Sequence, residues 1–144
     1  MAWYDNWQGY FIRYISGTTD VVFPMNYINE QSWKSNPNFR EEIKAYRDEN
    51  TRNLHRVTAS GKKSSFSFDT RSGLHLADKK IIQTFFTSHE SNQDQRKIHL
   101  WYWNDEDNKY EEGDFYRPNM EFKIKYVTAN DIIYDSMTIE LIEY

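Results

Sequence analysis

Aromatic residues constrain the fold of this chain more than any other feature of its sequence. Among 144 residues there are 5 Trp, 11 Tyr and 9 Phe, or 17% of the chain, while all hydrophobic residues together make up only 38%. An aromatic side chain buries roughly 150–250 Å², so a chain with few aliphatic residues still closes a core if many of its rings point inward. The sequence therefore predicts an aromatic core, with surplus rings forming contact surfaces.

Length, charge and cysteine content exclude several classes of protein. A chain of 144 residues fits one compact domain and leaves no room for two. With 18 Lys and Arg against 22 Asp and Glu, the net charge of −4 disfavours a general nucleic-acid coat. The absence of cysteine excludes disulfides and thiolate metal sites. Because of the same charge balance, we expect no recognition of a nucleic-acid sequence. No stretch approaches the 18 apolar residues of a membrane-spanning helix, so we expect no membrane insertion.

Alternating apolar residues predict about seven or eight antiparallel strands. The clearest alternation is that of Met120, Phe122, Ile124 and Tyr126 with charged residues. The other extended segments are a hairpin over residues 10–23, the pair 97–103 and 110–116, and a last strand that offers Met137, Ile139 and Leu141 to one face. These segments are typical of an antiparallel β-sandwich or a small barrel.

One helix interrupts the strands. Residues 74–86 place Leu74, Ile81, Ile82, Phe85 and Phe86 on one side at a spacing of 3.6 residues. The predicted fold is therefore mainly β, a sandwich or small barrel, with one principal α-helix packed on a face or at a corner.

Residues 39–64 predict a long polar hairpin, which we call the arm. Residues 39–47 fit a helical face as well as an alternating strand, but a polar tip over 48–53 and an extended stretch over 54–69 follow, which favours a strand. A two-stranded arm without a core of its own needs a neighbour to be stable. Its basic residues are interleaved with acidic ones, which favours ion pairing between chains over nucleic-acid contact.

No motif predicts an enzyme or a metal site. The five glycines are scattered, and Gly-x-Ser-x-Gly is absent. The four histidines, His55, His75, His89 and His99, lack metal-ligand spacing. The acidic run over residues 105–114 fits a solvated hairpin tip better than a calcium loop. We therefore predict no catalytic, metal or cofactor residues and no cofactor.

Trp101 and Trp103 lie two residues apart and so share one face of a strand, with His99 beside them. This is the arrangement of a sugar-stacking platform. The opposite face, formed by Ile98, Leu100 and Tyr102, is also apolar, which favours a strand covered on both sides. The sequence does not decide whether the two tryptophans are buried or exposed.

A series of short motifs resembles a family of small uncharacterised tail-associated proteins encoded by tailed bacteriophages and prophages. The resemblance covers roughly residues 10–144. The motifs, in order, are Tyr46-Arg47-Asp48, Leu54-His55-Arg56, His75-Leu76-Ala77-Asp78-Lys79, Phe85-Phe86, Tyr102-Trp103-Asn104-Asp105, Tyr110-x-x-Gly113-x-Phe115-Tyr116-x-Pro118, Glu121-Phe122-x-Ile124, Asn130-Asp131-Ile132-Ile133-Tyr134 and Ile142-Glu143-Tyr144.

This resemblance implies a virion structural protein of the tail or baseplate, without catalytic residues. Its partners would be copies of itself and other phage tail proteins. It would be assembled in the bacterial host cytoplasm and located in the virion tail. The implied architecture resembles that of tail-tube and baseplate proteins, a β-sandwich or barrel with one helix and a protruding hairpin. We expect assembly into a symmetric ring or stack, and the alternative is a carbohydrate-binding module of a phage receptor-binding apparatus.

Residues 1–9 depart from that family and form an N-terminal aromatic arm ahead of a single β-rich domain over residues 10–144. Together with the hairpin arm, these residues are the expected contacts between chains. The interface candidates are Trp3, Tyr4, Trp7, Arg47, Asp48, Arg52, His55, Arg56, Lys62 and Lys63.

Overall fold

The computed structural model describes residues 2–39, 42–47, 49–58 and 63–144, and the side chains of residues 42–46 and 55–58 lie outside that description. This part of the chain contains one α-helix and thirteen strands. The helix α1 spans Leu76–Thr87. The strands are β1 Ile12–Ser16, β2 Thr19–Val22, β3 Lys34–Phe39, β4 Glu42–Arg47, β5 Leu54–Thr58, β6 Lys63–Asp69, β7 Leu74–His75, β8 Glu90–Asn92, β9 Lys97–Asn104, β10 Lys109–Tyr116, β11 Ile124–Val127, β12 Ile132–Tyr134 and β13 Thr138–Glu143.

Eight strands form one large antiparallel sheet. Its order is β2-β1-β9-β10-β13-β6-β3, and β8 also pairs with β9. The hairpins that the sequence predicts over residues 10–23 and 97–116 are β1–β2 and β9–β10. The last strand, β13, pairs with β6 and buries Ile139 and Leu141, and Met137 just before it is buried as well, as expected. The mainly antiparallel β fold with one helix is confirmed.

The large sheet curls into an open barrel. The strand β3 ends the sheet four positions from β9, yet its flanking Trp33 stacks on Phe11 with ring centroids 4.1 Å apart. The side-chain amide of Asn104, at the end of β9, donates to Asn38 Oδ1 at 3.1 Å. Only a strongly twisted sheet brings these elements together.

Aromatic rings dominate the core, as the composition predicts. The helix α1 buries Ile82, Phe85 and Phe86, and Phe23 lies between the helix and the sheet, 5.2 Å from Phe85 and 5.5 Å from Phe68 between ring centroids. Two carboxylates fix the start of α1: Asp78 accepts from the backbone N–H of His75 at 3.1 Å, and Asp131 accepts from that of Leu76 at 3.3 Å. These bonds satisfy N–H groups that have no partner within the helix.

The segment with the clearest alternation behaves differently from the other predicted strands. Residues 120–123 are described but do not belong to a strand, and the strand itself, β11, covers only Ile124–Val127. It forms the edge of a three-stranded sheet with order β11-β12-β7, and every residue of it is exposed. Period-2 alternation indicates a strand, but it does not say whether the apolar face of that strand packs on the core or stays exposed. The predicted strand over residues 120–126 is therefore confirmed only in its second half.

Candidate assembly surfaces

The arm consists of β4 and β5, which form a two-stranded sheet of their own. Their register pairs Arg47 with Leu54, next to the tip. At the tip, Arg52 adopts a φ of 62°, and the Arg47 guanidinium donates to the Arg52 carbonyl at 3.2 Å. The strand predicted over residues 39–47 is thus confirmed over Glu42–Arg47 as β4, whereas Phe39 belongs to β3 of the large sheet. Two strands alone bury little apolar surface, so the hairpin geometry itself favours a partner.

The structure locates the interface candidates of the arm only in part. Arg47, Arg52 and Lys63 are exposed, with Lys63 at the start of β6. Asp48 and Lys62 lie outside the described residues. His55 and Arg56 lie on β5, but their side chains lie outside the described part.

The N-terminal aromatic residues lie on the outer face of the β9–β10 hairpin. The ring centroid of Trp3 is 4.9 Å from that of Trp101, and Tyr4 stacks on the same Trp101 ring at 5.5 Å. Trp7 is 5.1 Å from Trp103 in an edge-on arrangement. We call Trp3, Tyr4, Trp7, Trp101, Trp103 and Tyr110 the outer aromatic cluster.

Hydrogen bonds hold this cluster in place. The Tyr110 hydroxyl donates to the Tyr10 carbonyl at 2.6 Å and accepts from the Gln8 backbone N–H at 3.0 Å. The Arg13 guanidinium carbon lies 4.4 Å from the centroid of the Trp3 ring, a cation–π contact. Residues 2–9 therefore fold back on their own chain. Tyr4 and Trp7 remain 37% and 48% exposed, which leaves ring surface for a second molecule.

The position of Trp101 and Trp103 bears on the carbohydrate alternative. Their strand is covered on both sides, because Ile98, Leu100 and Tyr102 are buried in the core and residues 2–9 cover the opposite face. Trp101 already has Trp3 and Tyr4 against it. A sugar ring stacking on Trp101 would have to displace them, so this surface does not favour carbohydrate binding.

Two apolar surfaces were not identified from the sequence. The first, which we call the β11 ridge, consists of Phe122, Ile124, Tyr126 and Val127, and the last three are 58%, 54% and 63% exposed. The second, which we call the α1–β2 groove, has a volume of about 340 Å³ and is lined by Val21, Val22, Pro24, Ile81 and Phe85 together with Lys80, Thr84, Ser88 and His89. The consecutive pair Val21-Val22 is the one sequence signal that could have indicated the groove, since two adjacent strand residues cannot both face the core.

The titratable side chains form local ion pairs. Asp131 accepts from His75 at 2.6 Å, and the pKa of this carboxyl is lowered mainly by that hydrogen bond. Trp33 Nε1 donates to Asp105 at 3.3 Å, and the hydroxyl of Ser35 in β3 donates to the same carboxylate, so this residue of the acidic turn between β9 and β10 binds β3 and the residue before it.

Within the described residues, no group of three or more histidine and carboxylate side chains is arranged to hold a metal ion. No helix of that same part is long and apolar enough to cross a membrane.

His99 gives the outer face of β9 a dependence on pH. Its Nδ1 lies 2.9 Å from Asp114 and its Nε2 lies 3.1 Å from Glu112. Partial burial lowers the pKa of His99, but the hydrogen bonds to Glu112 and Asp114 outweigh it, and the pKa is raised. The protonated imidazole therefore bridges two carboxylates across the β9–β10 hairpin.

We expect His99→Gln to cost stability at low pH more than at high pH. Because the folded state holds the proton more tightly, this contribution is fully present below the ordinary histidine pKa of about 6.5 and is lost as the pH rises through the folded pKa. The side chain is 43% exposed, so solvent screening limits the effect to under about 1 kcal/mol. Urea unfolding of both proteins at pH 5.5 and at pH 8.5 checks this, and an equal difference at both values would contradict it.

Both the sequence and the fold of this chain are similar to those of known proteins. A family model described as "Family of unknown function (DUF6711)" matches residues 4–144. A solved structure with a similar fold is a chain of the "Tail of empty GTA particle computed with helical refinement, C6 symmetry". The TM-score is 0.50 at 13% sequence identity, over 96% of this chain and 94% of that chain. None of the curated proteins matches. At this identity, the structural similarity establishes a shared fold.

Proposed function

The chain belongs to the DUF6711 family, whose function is unknown, and we propose that it is a structural protein of a phage-like tail. The observation that carries the proposal is the similarity of fold over 96% of the chain to a component of a helical tail with C6 symmetry. In this role the chain resides in the virion tail, is assembled in the bacterial host cytoplasm and catalyses no reaction. Its partners are copies of itself and other tail proteins.

The assembly we propose is a symmetric ring or stack, in a tail tube or baseplate. A closed ring requires two different patches on each copy that fit one another. The arm supports this view, because a two-stranded hairpin gains most of its stability from whatever it lies against. The basic interface candidates Arg47, Arg52 and Lys63 are exposed, and so are the rings of Tyr4 and Trp7.

Removal of the arm tests the proposed assembly. We expect the purified wild-type chain to form rings or tubes at high concentration, and a variant with residues 41–61 replaced by a short Gly-Ser linker to remain monomeric. Mass photometry and negative-stain microscopy measure this directly. A second test changes only the charge of the arm. We expect Arg47→Glu combined with Arg52→Glu to weaken the assembly. The matched control is Lys109→Glu, which changes a partly exposed cation of the body and should leave the assembly intact. Wild-type protein that stays monomeric, together with normal tails on particles lacking it, would refute the proposal.

A further inference from the structure

The large sheet gives way to the arm at a β-bulge. The pairing of β3 with β6 is regular up to Asn36 and shifts by one residue before Phe39. Asn38 lies within this shift and adopts a φ of 57°, in the left-handed region. A bulge bends its strand and increases the local twist. We call Asn38, Phe39, Lys63 and Ser64 the root of the arm, since β4 and β5 beyond them form a separate sheet.

The side chain of Asn38 binds the turn between β9 and β10. Its Oδ1 accepts from Asn104 Nδ2 at 3.1 Å, and its Nδ2 donates to Asp107 at 3.2 Å. Asn104 is fully buried, and its Oδ1 accepts from the backbone N–H groups of Glu106 and Asp107 at 3.0 Å each. These two bonds fix which way the Asn104 amide points, so that its Nδ2 faces Asn38. The amide of Asn38 therefore meets a partner that is already oriented.

The other strand of the root is bound to the body as well. Ser64 is buried, and its hydroxyl oxygen accepts from the Asn38 backbone N–H at 3.1 Å and from the Tyr102 hydroxyl at 2.8 Å. The Ser64 backbone N–H donates to Glu143 of β13 at 2.8 Å. Breaking these bonds would leave buried polar atoms without partners, which is costly. The network therefore holds both strands of the root against β9 and β13.

Beyond the root, the arm has little that would fix its direction. Among the described strands, β4 and β5 pair only with each other, and a two-stranded hairpin has no core to hold it. We propose that Asn38 is a positioning residue for the arm, whose bonds to Asn104, Asp107 and Ser64 fix the direction in which the arm leaves the body. Asparagine suits this position, because it tolerates a positive φ and its amide donates and accepts at once.

The purpose of this role rests on the proposed ring or stack. In a symmetric assembly every copy makes the same contacts, so the arm must leave every copy in the same direction. An arm that swings freely would lose conformational entropy when it docks, and this loss weakens the contact. A root that is fixed before assembly removes part of that cost.

Distances within one chain test this role without any assembly. The chain lacks cysteine, so Glu49→Cys at the exposed tip of the arm and Lys80→Cys on the exposed face of α1 take up nitroxide labels without background. A second pair combines Glu49→Cys with Glu140→Cys, at an exposed residue of β13. Labelled chains are diluted into an excess of unlabelled chains, and double electron–electron resonance measures each distance distribution. We expect narrow distributions, which Asn38→Gly shifts and widens by several ångströms.

Two further variants separate the lost hydrogen bonds from the added freedom of glycine. Asn108→Gly removes the same atoms at a residue of the β9–β10 turn with a φ of 55°, and it should leave both distributions unchanged. Asp107→Ala leaves residue 38 intact and removes one partner of its amide, so it should produce a smaller change in the same direction. Near-ultraviolet circular dichroism checks that each variant keeps its packed core.

Three results overturn the positioning role of Asn38: broad distributions without any substitution at the root, unchanged distributions in Asn38→Gly, or an equal change in Asn108→Gly. If Asn38→Gly unfolds the chain, Asp107→Ala decides, and unchanged distances in that variant overturn the proposal. Shifted distances in Asn38→Gly, together with wild-type chains that form no rings at any concentration, leave the positioning role standing while the proposed function fails.

Discussion

Replacing Glu90 by alanine is expected to lower the free energy of unfolding by about 3–5 kcal/mol, because it leaves Arg117 as a buried charge without a partner. The side chains of Glu90 and Arg117 are only 4% and 9% exposed, and Glu90 Oε1 lies 3.5 Å from Arg117 Nη2. Within the described part of the chain, Glu90 Oε1 and Arg117 Nε have no hydrogen-bond partner. Burial, and then the nearby Arg96, lower the pKa of Arg117, which shows the cost of keeping this guanidinium charged.

A double variant that removes both buried charges is expected to keep the stability that Glu90→Ala loses. Glu90→Leu combined with Arg117→Met removes both charges and keeps apolar volume next to Phe86, whose ring centroid lies 5.6 Å from the Arg117 guanidinium carbon. We expect this variant to be about as stable as the wild type, since a buried ion pair often repays no more than its desolvation cost. Guanidinium unfolding of the wild type, Glu90→Ala and the double variant measures both effects.

Two results would contradict this account of the Glu90–Arg117 pair. One is a loss in Glu90→Ala no larger than in Glu140→Ala, a control that removes an exposed carboxylate of β13 and should change stability by less than about 0.5 kcal/mol. The other is a double variant as unstable as Glu90→Ala, which would show that the pair contributes net stability.

Replacing Phe23 by alanine is expected to destabilise the fold by about 3–5 kcal/mol and to lower its melting temperature by roughly 10 °C or more. The Phe23 side chain is fully buried where α1 meets the large sheet, between Phe68, Phe85 and Phe86. Its removal leaves a cavity that rigid neighbouring rings fill only in part. Thermal unfolding followed by near-ultraviolet circular dichroism measures both the stability and the packing of the rings.

Phe39→Ala is the matched control for this substitution. It deletes the same atoms from β3, where Phe39 is 55% exposed, and should cost less than about 1 kcal/mol. Similar losses in the two variants would show that the contact of α1 with the sheet does not depend on Phe23.

The sequence predicted those elements whose pattern matches their environment. Met137, Ile139 and Leu141 alternate because β13 has one buried face, and the 3.6-residue spacing of Ile82, Phe85 and Phe86 follows from the single face that α1 packs on the sheet. The described residues form thirteen strands, more than the seven or eight expected. The short strands β7, β8 and β12 were not separated from their surroundings, because two or three residues carry no period.

The candidate surfaces were predicted less completely than the fold. The arm was recognised, because a polar tip between two extended segments is a local signal. The packing of Trp3 and Tyr4 on Trp101 was not predicted, because this contact joins residues almost 100 positions apart. The exposure of Ile124 and Tyr126 was likewise hidden, since alternation is the same whether the apolar face meets the core or a second molecule.

The sequence by itself determined an aromatic core, an antiparallel fold with one helix and a polar arm, because periodicity and composition act over a few neighbouring residues. Only the tertiary structure decided that residues 2–9 cover the tryptophans of β9, that Glu90 meets Arg117 in the interior, and that β11 and the groove beside α1 remain uncovered. The physical reason is that burial depends on the order and curl of the strands, and these follow from contacts between segments far apart in the chain.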